Sequence, residues 1–371
     1  MKYTKFKNTI ETILSSADVK INGSRPWDLQ IHNNAFYSRV LAKGSLGLGE
    51  SYMESWWDCN HLDQFFDKIL SAKLDEHFKT LTGLLNIIKS KIINLQKPSR
   101  AFFVGKKHYD IGNSLFENML DKRMIYSCGY WQDTDNLDQA QEAKLHLVCR
   151  KLGLQPGMRV LDLGCGWGGA ARFVAKYYDV KVVGITISEQ QHILAQQTCK
   201  GLPVEIRMQD YRKLNEKFDR IYSLGMFEHV GYKNYLSYFK VVRKNLTGDG
   251  LFLLHTIGGN DSVVQTDPWI GKYISPNSML PSAKQIMAHT EGLLVLEDWH
   301  NFGVDYDKTL IAWYANFTKN WDKIKDYDVV FYRQWCYYLL SCAGAFRARK
   351  NQLWQCVFSA DGLAGGYKSV R

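Results

Sequence analysis

Arg159-Val160-Leu161-Asp162-Leu163-Gly164-Cys165-Gly166-Trp167-Gly168-Gly169 is a short apolar run, with a carboxylate near its end, that opens into four glycines. The run reads as a strand and the glycines after it as a tight loop. Ala170 to Tyr178 has helix-compatible composition. The glycines therefore stand between a strand and a helix N-terminus, where backbone passes close to a ligand and free N–H groups favour negative charge. Four glycines carry an entropic cost that a turn without a ligand does not need. A nucleotide-like cofactor is the first reading.

Gly164, Gly166 and Gly169 also satisfy the G-x-G-x-x-G spacing of a dinucleotide-binding loop. Two details point elsewhere. Asp162 stands just before the first glycine, and the next strand, Val180 to Thr186, ends in Gly184-Ile185-Thr186-Ile187-Ser188 without a ribose-binding acid, Glu189 already lying in the following helix. A D-x-G-x-G-x-G-G loop at the end of a first strand instead resembles class I methyltransferases that use S-adenosylmethionine. That resemblance implies an α/β fold with a Rossmann-like, doubly wound sheet.

The chain has 371 residues, 46% of them hydrophobic, enough for two domains or one large one. It shows no signal-peptide-like N-terminal run and no stretch near the roughly 20 apolar residues of a membrane span. A soluble cytoplasmic protein is expected. The eight cysteines contain no C-x-x-C pair, so reduced thiols are expected rather than disulfides, and no metal is implied. The net charge of +10 calls for an anionic partner. Zinc-finger spacing, a helix-turn-helix and a K/R-G-F-G-F-type motif are all missing, which favours an acidic membrane surface over nucleic acid.

Residues 1–95 carry no nucleotide motif and read as a smaller, mainly helical N-terminal domain, with a helix from Phe6 to Ala17 and turns at Asn22-Gly23 and Arg25-Pro26. Leu81, Leu84, Leu85, Ile88, Ile92 and Leu95 form a helical stripe with Lys89 and Lys91 off it. Such a helix suits a membrane interface, and it equally suits packing on its own domain. Residues 96–104 read as a linker around Pro98, and 105–371 as the catalytic domain. There, a helix from Leu137 to Leu152 leads into the glycine loop. Strands at 180–186, 204–208, 219–224 and 251–256 then alternate with helices at 188–199 and 233–246, which is a parallel sheet. Leu293 to Phe302 and Leu353 to Ser359 are the last strands, around a helical, aromatic-rich insert from Leu310 to Arg347.

In such a sheet ligands collect at the carboxyl ends of the strands. Those ends carry Asp162 to Gly169, Thr186 to Gln191, Gln209-Asp210-Tyr211, Gly225-Met226-Phe227-Glu228-His229-Val230 and His255-Thr256-Ile257-Gly258. Asp210 is placed to accept a hydrogen bond from an adenine amino group and Tyr211 to pack on the ring; Asp210 as a helix cap is the competing reading. Glu228 and His255 fall where a donated methyl group would lie, and suit sharing a proton or holding a small anion.

His108-Tyr109-Asp110-Ile111-Gly112-Asn113, Tyr126-Ser127-Cys128-Gly129-Tyr130-Trp131, the glycine loop, Gly225 to Gly231 and His255 to Gly258 together closely resemble cyclopropane-fatty-acyl-phospholipid synthases and their mycolic-acid-modifying relatives. The resemblance covers nearly the whole chain. It implies that Tyr126, Ser127, Asp162, Gly164, Gly166, Thr186, Ile187, Gln191, Asp210 and Tyr211 contact S-adenosylmethionine. It implies further that Cys128, Glu228, His255, the backbone of Ile257 and Tyr306 hold a bicarbonate ion that serves as the base. Cys342 matches a cysteine regarded as an active-site residue, though the chemistry needs no thiol nucleophile. The reaction implied is methylene transfer across the cis double bond of unsaturated phospholipid acyl chains, with Tyr306, Tyr130 or Trp131 facing the carbocation. A peripheral enzyme on the inner face of the membrane, docked on anionic lipid and homodimeric, is what the family implies. A branch-forming methyltransferase and a lipid-binding protein with a vestigial cofactor site stay open. A nucleic-acid methyltransferase lacks support, since Gly-Met-Phe-Glu-His-Val stands where N-P-P-Y or P-C would follow the fourth strand.

Overall fold

The computed structural model describes residues 2–74, 112–325 and 327–371. The stripe at 81–95, the linker at 96–104 and His108 to Ile111 lie outside these, as do the expected domain boundaries. The chain forms two compact units. The first gathers the residues before 75 with Gln265–Pro276 and Tyr306–Asn351. The sequence reading gave the latter two segments to the catalytic part.

In the first unit the expected N-terminal helix runs Lys2–Ser15, and a further helix runs Ser45–Met53. Two short strands, β1 (Gln30–Ile31) and β2 (Trp57–Asp58), pair antiparallel. The helix Leu62–Ser71 buries Leu62, Phe65 and Phe66, and it packs on the long helix Val329–Arg347. Close approach is possible because residue 344 is glycine: a Cβ there would stand 2.6 Å from Asp63 O and Phe66 Cβ. Phe66 meets Tyr337 edge-on, their ring centroids 5.2 Å apart. The aromatic-rich insert is thus two helices, Val304–Lys319 and Val329–Arg347, the second being part of this unit's core.

The second unit is built on a seven-stranded sheet: β3 (Arg159–Leu163), β4 (Lys181–Thr186), β5 (Val204–Met208), β6 (Phe218–Leu224), β7 (Leu246–Gly259), β8 (Val295–Asn301) and β9 (Asn351–Ser359), in the order β5-β4-β3-β6-β7-β9-β8. The strands β3 to β7 pair parallel. The strands β8 and β9 pair antiparallel, so one of them runs against the other five and the sheet is mixed at that edge. Side chains alternate across a strand, and both faces of β3 are covered. Leu161 and Leu163 join a core with Tyr235, Tyr238, Phe239 and Val242 of the helix Tyr235–Asn245. Val160 joins Leu145 and Val148 of the helix Leu137–Lys151 and Phe173 and Val174 of the helix Gly169–Tyr178 on the other side. With helices on both faces, only the strand ends stay open to a ligand. Among the described residues no helix is long and apolar enough to cross a membrane, and all eight cysteines are free thiols.

Candidate active site

A cavity of about 180 Å³ opens at the carboxyl ends of β3 to β6. Its wall includes all ten residues expected to contact S-adenosylmethionine: Tyr126, Ser127, Asp162, Gly164, Gly166, Thr186, Ile187, Gln191, Asp210 and Tyr211. The glycine loop leaves β3 with φ of +95° at Gly164 and +53° at Gly166, conformations that side chains other than glycine's rarely adopt. Gly164 and Cys165 donate their N–H groups to the Ile185 carbonyl of β4, pinning the loop to the neighbouring strand end. Below the loop, the Asp162 carboxylate accepts a 3.0 Å bond from the Tyr222 hydroxyl, and burial pushes it up to about 7.

At the end of β4, Thr186 donates to Gln191 Oε1 (2.8 Å), and Ser188 caps the helix Glu189–Thr198 by accepting from Gln191 N. Asp210 caps the turn Tyr211–Lys213: its carboxylate accepts from Arg212 N (3.0 Å), Nε (2.9 Å) and Nη2 (2.5 Å), and it lines the cavity as well. Tyr211 behind it is buried beside Tyr238, ring centroids 5.6 Å apart, and burial pushes its phenol up to about 12. On the opposite side Phe116 of the helix Asn113–Met119 meets both Trp167 (4.8 Å) and Tyr126 (5.1 Å). Asn113 Oδ1 accepts from Trp167 Nε1 at 3.0 Å, so the end of the His108 to Asn113 motif anchors the glycine loop. Gln209, Arg212, Met226, His229 and Val230 also line the cavity; the sequence reading passed over Arg212 as a lining residue and gave His229 no role.

Beyond β6 the turn Phe227–His229 is locked by Phe227, stacked on Tyr235 with centroids 4.2 Å apart. This turn buries Glu228, whose Oε1 accepts from the Ile257 N–H of β7 at 2.7 Å. Glu228 Oε2 is buried without a hydrogen-bond partner among the described residues. On β7, His255 is 1% exposed; the Gln355 amide nitrogen stands 3.3 Å from its Nδ1, and its Nε2 has no partner among the described residues. As placed, the amide donates to Nδ1, which leaves Nε2 carrying the proton. Burial raises the Glu228 carboxyl above its ordinary value and holds His255 well below its own. Glu228 Oε2 and His255 Nε2 are thus an acceptor and a donor of the kind the expected bicarbonate would need, and neither residue is among those lining the cavity above. Cys128 is fully buried, with its thiol 3.1 Å from Gly129 O.

Tyr306 and Cys342 belong to the first unit. Tyr306 stacks on Phe346 (4.5 Å) and meets Trp313 edge-on (6.0 Å). Cys342, half-buried on the helix Val329–Arg347, has its thiol pushed up to about 12 by desolvation. That is the profile of an inert thiol rather than a nucleophile.

A sheet in this order, parallel from β3 to β7 and mixed at its last edge, with a glycine loop leaving β3 and polar residues from β4, β5 and β6 around one cavity, is the fold of a class I S-adenosylmethionine-dependent methyltransferase. Comparison with known proteins narrows the class. Residues 96–356 match the family model of mycolic acid cyclopropane synthetase. The cyclopropane-fatty-acyl-phospholipid synthase of Escherichia coli K12 is 56% identical over 364 residues, 97% of this chain and 94% of that protein. The cyclopropane synthase MmaA2 from Mycobacterium tuberculosis superposes with a TM-score of 0.65 at 30% identity, covering 70% of this chain and 98% of that one. The mycolic acid cyclopropane synthase CmaA1 complexed with SAH and CTAB does so with a TM-score of 0.64 at 31% identity, with the same coverage. The chain belongs to the mycolic acid cyclopropane synthetase family.

Proposed function

We propose that this enzyme transfers a methylene group from S-adenosylmethionine across the cis double bond of an unsaturated phospholipid acyl chain, closing a cyclopropane ring. The observation that carries the reading is that two buried polar atoms, Glu228 Oε2 and His255 Nε2, have no hydrogen-bond partner among the described residues. An isolated alkene is a weak nucleophile, so it reacts only when a strongly electrophilic methyl is held close and in line, away from water. The cavity supports that positioning: the glycine loop, Thr186, Ile187 and Gln191 would hold the adenosyl part, and Tyr211 would flank the base. Methyl transfer leaves a carbocation, and one methyl proton must then leave for the ring to close. His255 is kept neutral and Glu228 is tied to Ile257 N, which suits both side chains to holding and orienting a small ion. Bicarbonate, when bound, would supply the base, with Glu228 Oε2 accepting from it and His255 Nε2 donating to it. Identity across nearly the whole of the Escherichia coli relative supports the phospholipid acyl chain as substrate. The net charge of +10 supports docking on an anionic membrane surface as a peripheral enzyme. The family resemblance supports a homodimer.

The test is incubation of the purified protein with labelled S-adenosylmethionine, bicarbonate and vesicles of cis-unsaturated phospholipid, the fatty esters being separated by chromatography and identified by NMR. A labelled ring is expected, with turnover falling about 100-fold or more in Glu228→Gln. On anionic vesicles the rate should fall as salt rises, and on zwitterionic ones it should not. A branched alkene as product, or cofactor binding without label in lipid, overturns the reading.

A further inference from the structure

Lys144 is a lysine with no solvent exposure, on the helix Leu137–Lys151 that passes behind the cavity wall. Its ammonium makes no ion pair among the described residues; its hydrogen bond goes to the Ser127 hydroxyl, 2.8 Å away. Three residues earlier on the same helix, Gln141 Nε2 donates to the Ser127 carbonyl at 2.7 Å. One helix thus grips one cavity residue twice, through its backbone and through its side chain. A buried ammonium with no carboxylate in contact among the described residues is costly, so the grip calls for a reason beyond the folding of the helix. Desolvation accordingly pulls Lys144 down to about 8, against the attraction of Asp121 and Asp162.

An ammonium has no lone pair, so Lys144 can only donate, and Ser127 Oγ is the acceptor. The hydroxyl proton of Ser127 is then left for an acceptor on the cavity side, and the positive charge behind it makes it a stronger donor. Which part of the ligand meets it follows from the sheet order. The residues suited to adenine, Asp210 and Tyr211, follow β5. Ser127 lies beside the end of β6, a Cβ at Gly225 standing 3.7 Å from its own. Between β5 and β6 lie β4 and β3, so the two ends of the cavity are about 14 Å apart at the usual strand spacing. That is the reach of an extended adenosyl amino acid. With the base at β5, its amino-acid end arrives at Ser127. Arg212, which lines the cavity itself, is at the far end and bound to Asp210.

We propose that Lys144 is a positioning residue which holds the Ser127 hydroxyl as a charge-backed donor for the carboxylate of the cofactor's amino-acid end. The inference rests on the S-adenosylmethionine reading above. It is tested by calorimetric binding of two probes, S-adenosylhomocysteine and 5′-methylthioadenosine, the second lacking the amino-acid end. The full-length parent and Lys144→Met are compared. S-adenosylhomocysteine should bind about 10- to 100-fold more weakly to the variant while methylthioadenosine binds as it does to the parent. Equal weakening of both probes would mean that Lys144 only shapes the cavity, and overturns the proposal. If the parent binds neither probe, the cofactor reading itself fails. Should Lys144→Met not fold, Lys144→Gln, which keeps a donor toward Ser127 but removes the charge, carries the same comparison with the same two outcomes.

Discussion

Replacing Gly166 by alanine separates the two reasons a loop can be rich in glycine. Gly166 has φ of +53° and lines the cavity, yet beyond its two chain neighbours no atom of the described residues lies within 4 Å of where its Cβ would stand. The methyl therefore meets none of them, and the change costs only the left-handed backbone, about 1 kcal/mol. Gly164 gives the contrast: with φ of +95°, its Cβ would also lie 2.8 Å from Met226 Cβ and Cγ. Gly164→Ala should lose the backbone term and about 1–3 kcal/mol of overpacking as well. If the loop is glycine-rich because the cofactor lies against it, Gly166→Ala should bind S-adenosylhomocysteine at least about tenfold more weakly, or 1.4 kcal/mol. Urea unfolding and calorimetric titration on the same preparations measure the two quantities. Binding within about twofold of the parent, with stability falling as expected, would refute close approach at this position and leave the glycines as folding devices.

Cys342→Ser should leave turnover unchanged, because a thiol near 12 is ionised at neutral pH to only about one part in 10⁵; loss of activity in a folded variant would restore the cysteine to the mechanism. Asp162, raised from 3.8 to about 7, keeps a proton in the folded state that the unfolded chain has already released. Stability should therefore fall as pH rises from about 4 to about 7, by up to about 1.4 kcal/mol per unit, and Asp162→Asn should flatten that slope. Lys144 is charged in both states over most of this window, so parallel urea-unfolding profiles for parent and variant would count against the assignment.

The strands around the glycine loop were legible because their signal is local. Apolar runs of four to seven residues, each closed by glycine or a polar cluster, gave β3 to β6 within a residue or two, and all ten residues expected at the cofactor meet at one cavity. Pairing over long distances has no such signature. Nothing local shows that the last two strands pair antiparallel, or that 265–276 and 306–351 belong with the N-terminal helices. Lys144 left a trace that was passed over: Gln141, Lys144 and Val148 stand on one helical stripe, and all three are buried. Polar residues on an otherwise buried stripe are the pattern by which such a grip is found.

The first unit has a further bearing on how the molecule is made. Arg333 closes on the Tyr52 carbonyl across 281 residues of chain. Phe66 waits for Tyr337 of a helix that begins at Val329. A ribosome adding about 5–20 residues per second would leave that face of the ring uncovered for tens of seconds after it emerges. The sheet is complete up to β7 before that partner exists. Assembly of the first unit is therefore a late event of synthesis, and the period before it is when the nascent chain is most open to chaperones, to aggregation and to proteolysis.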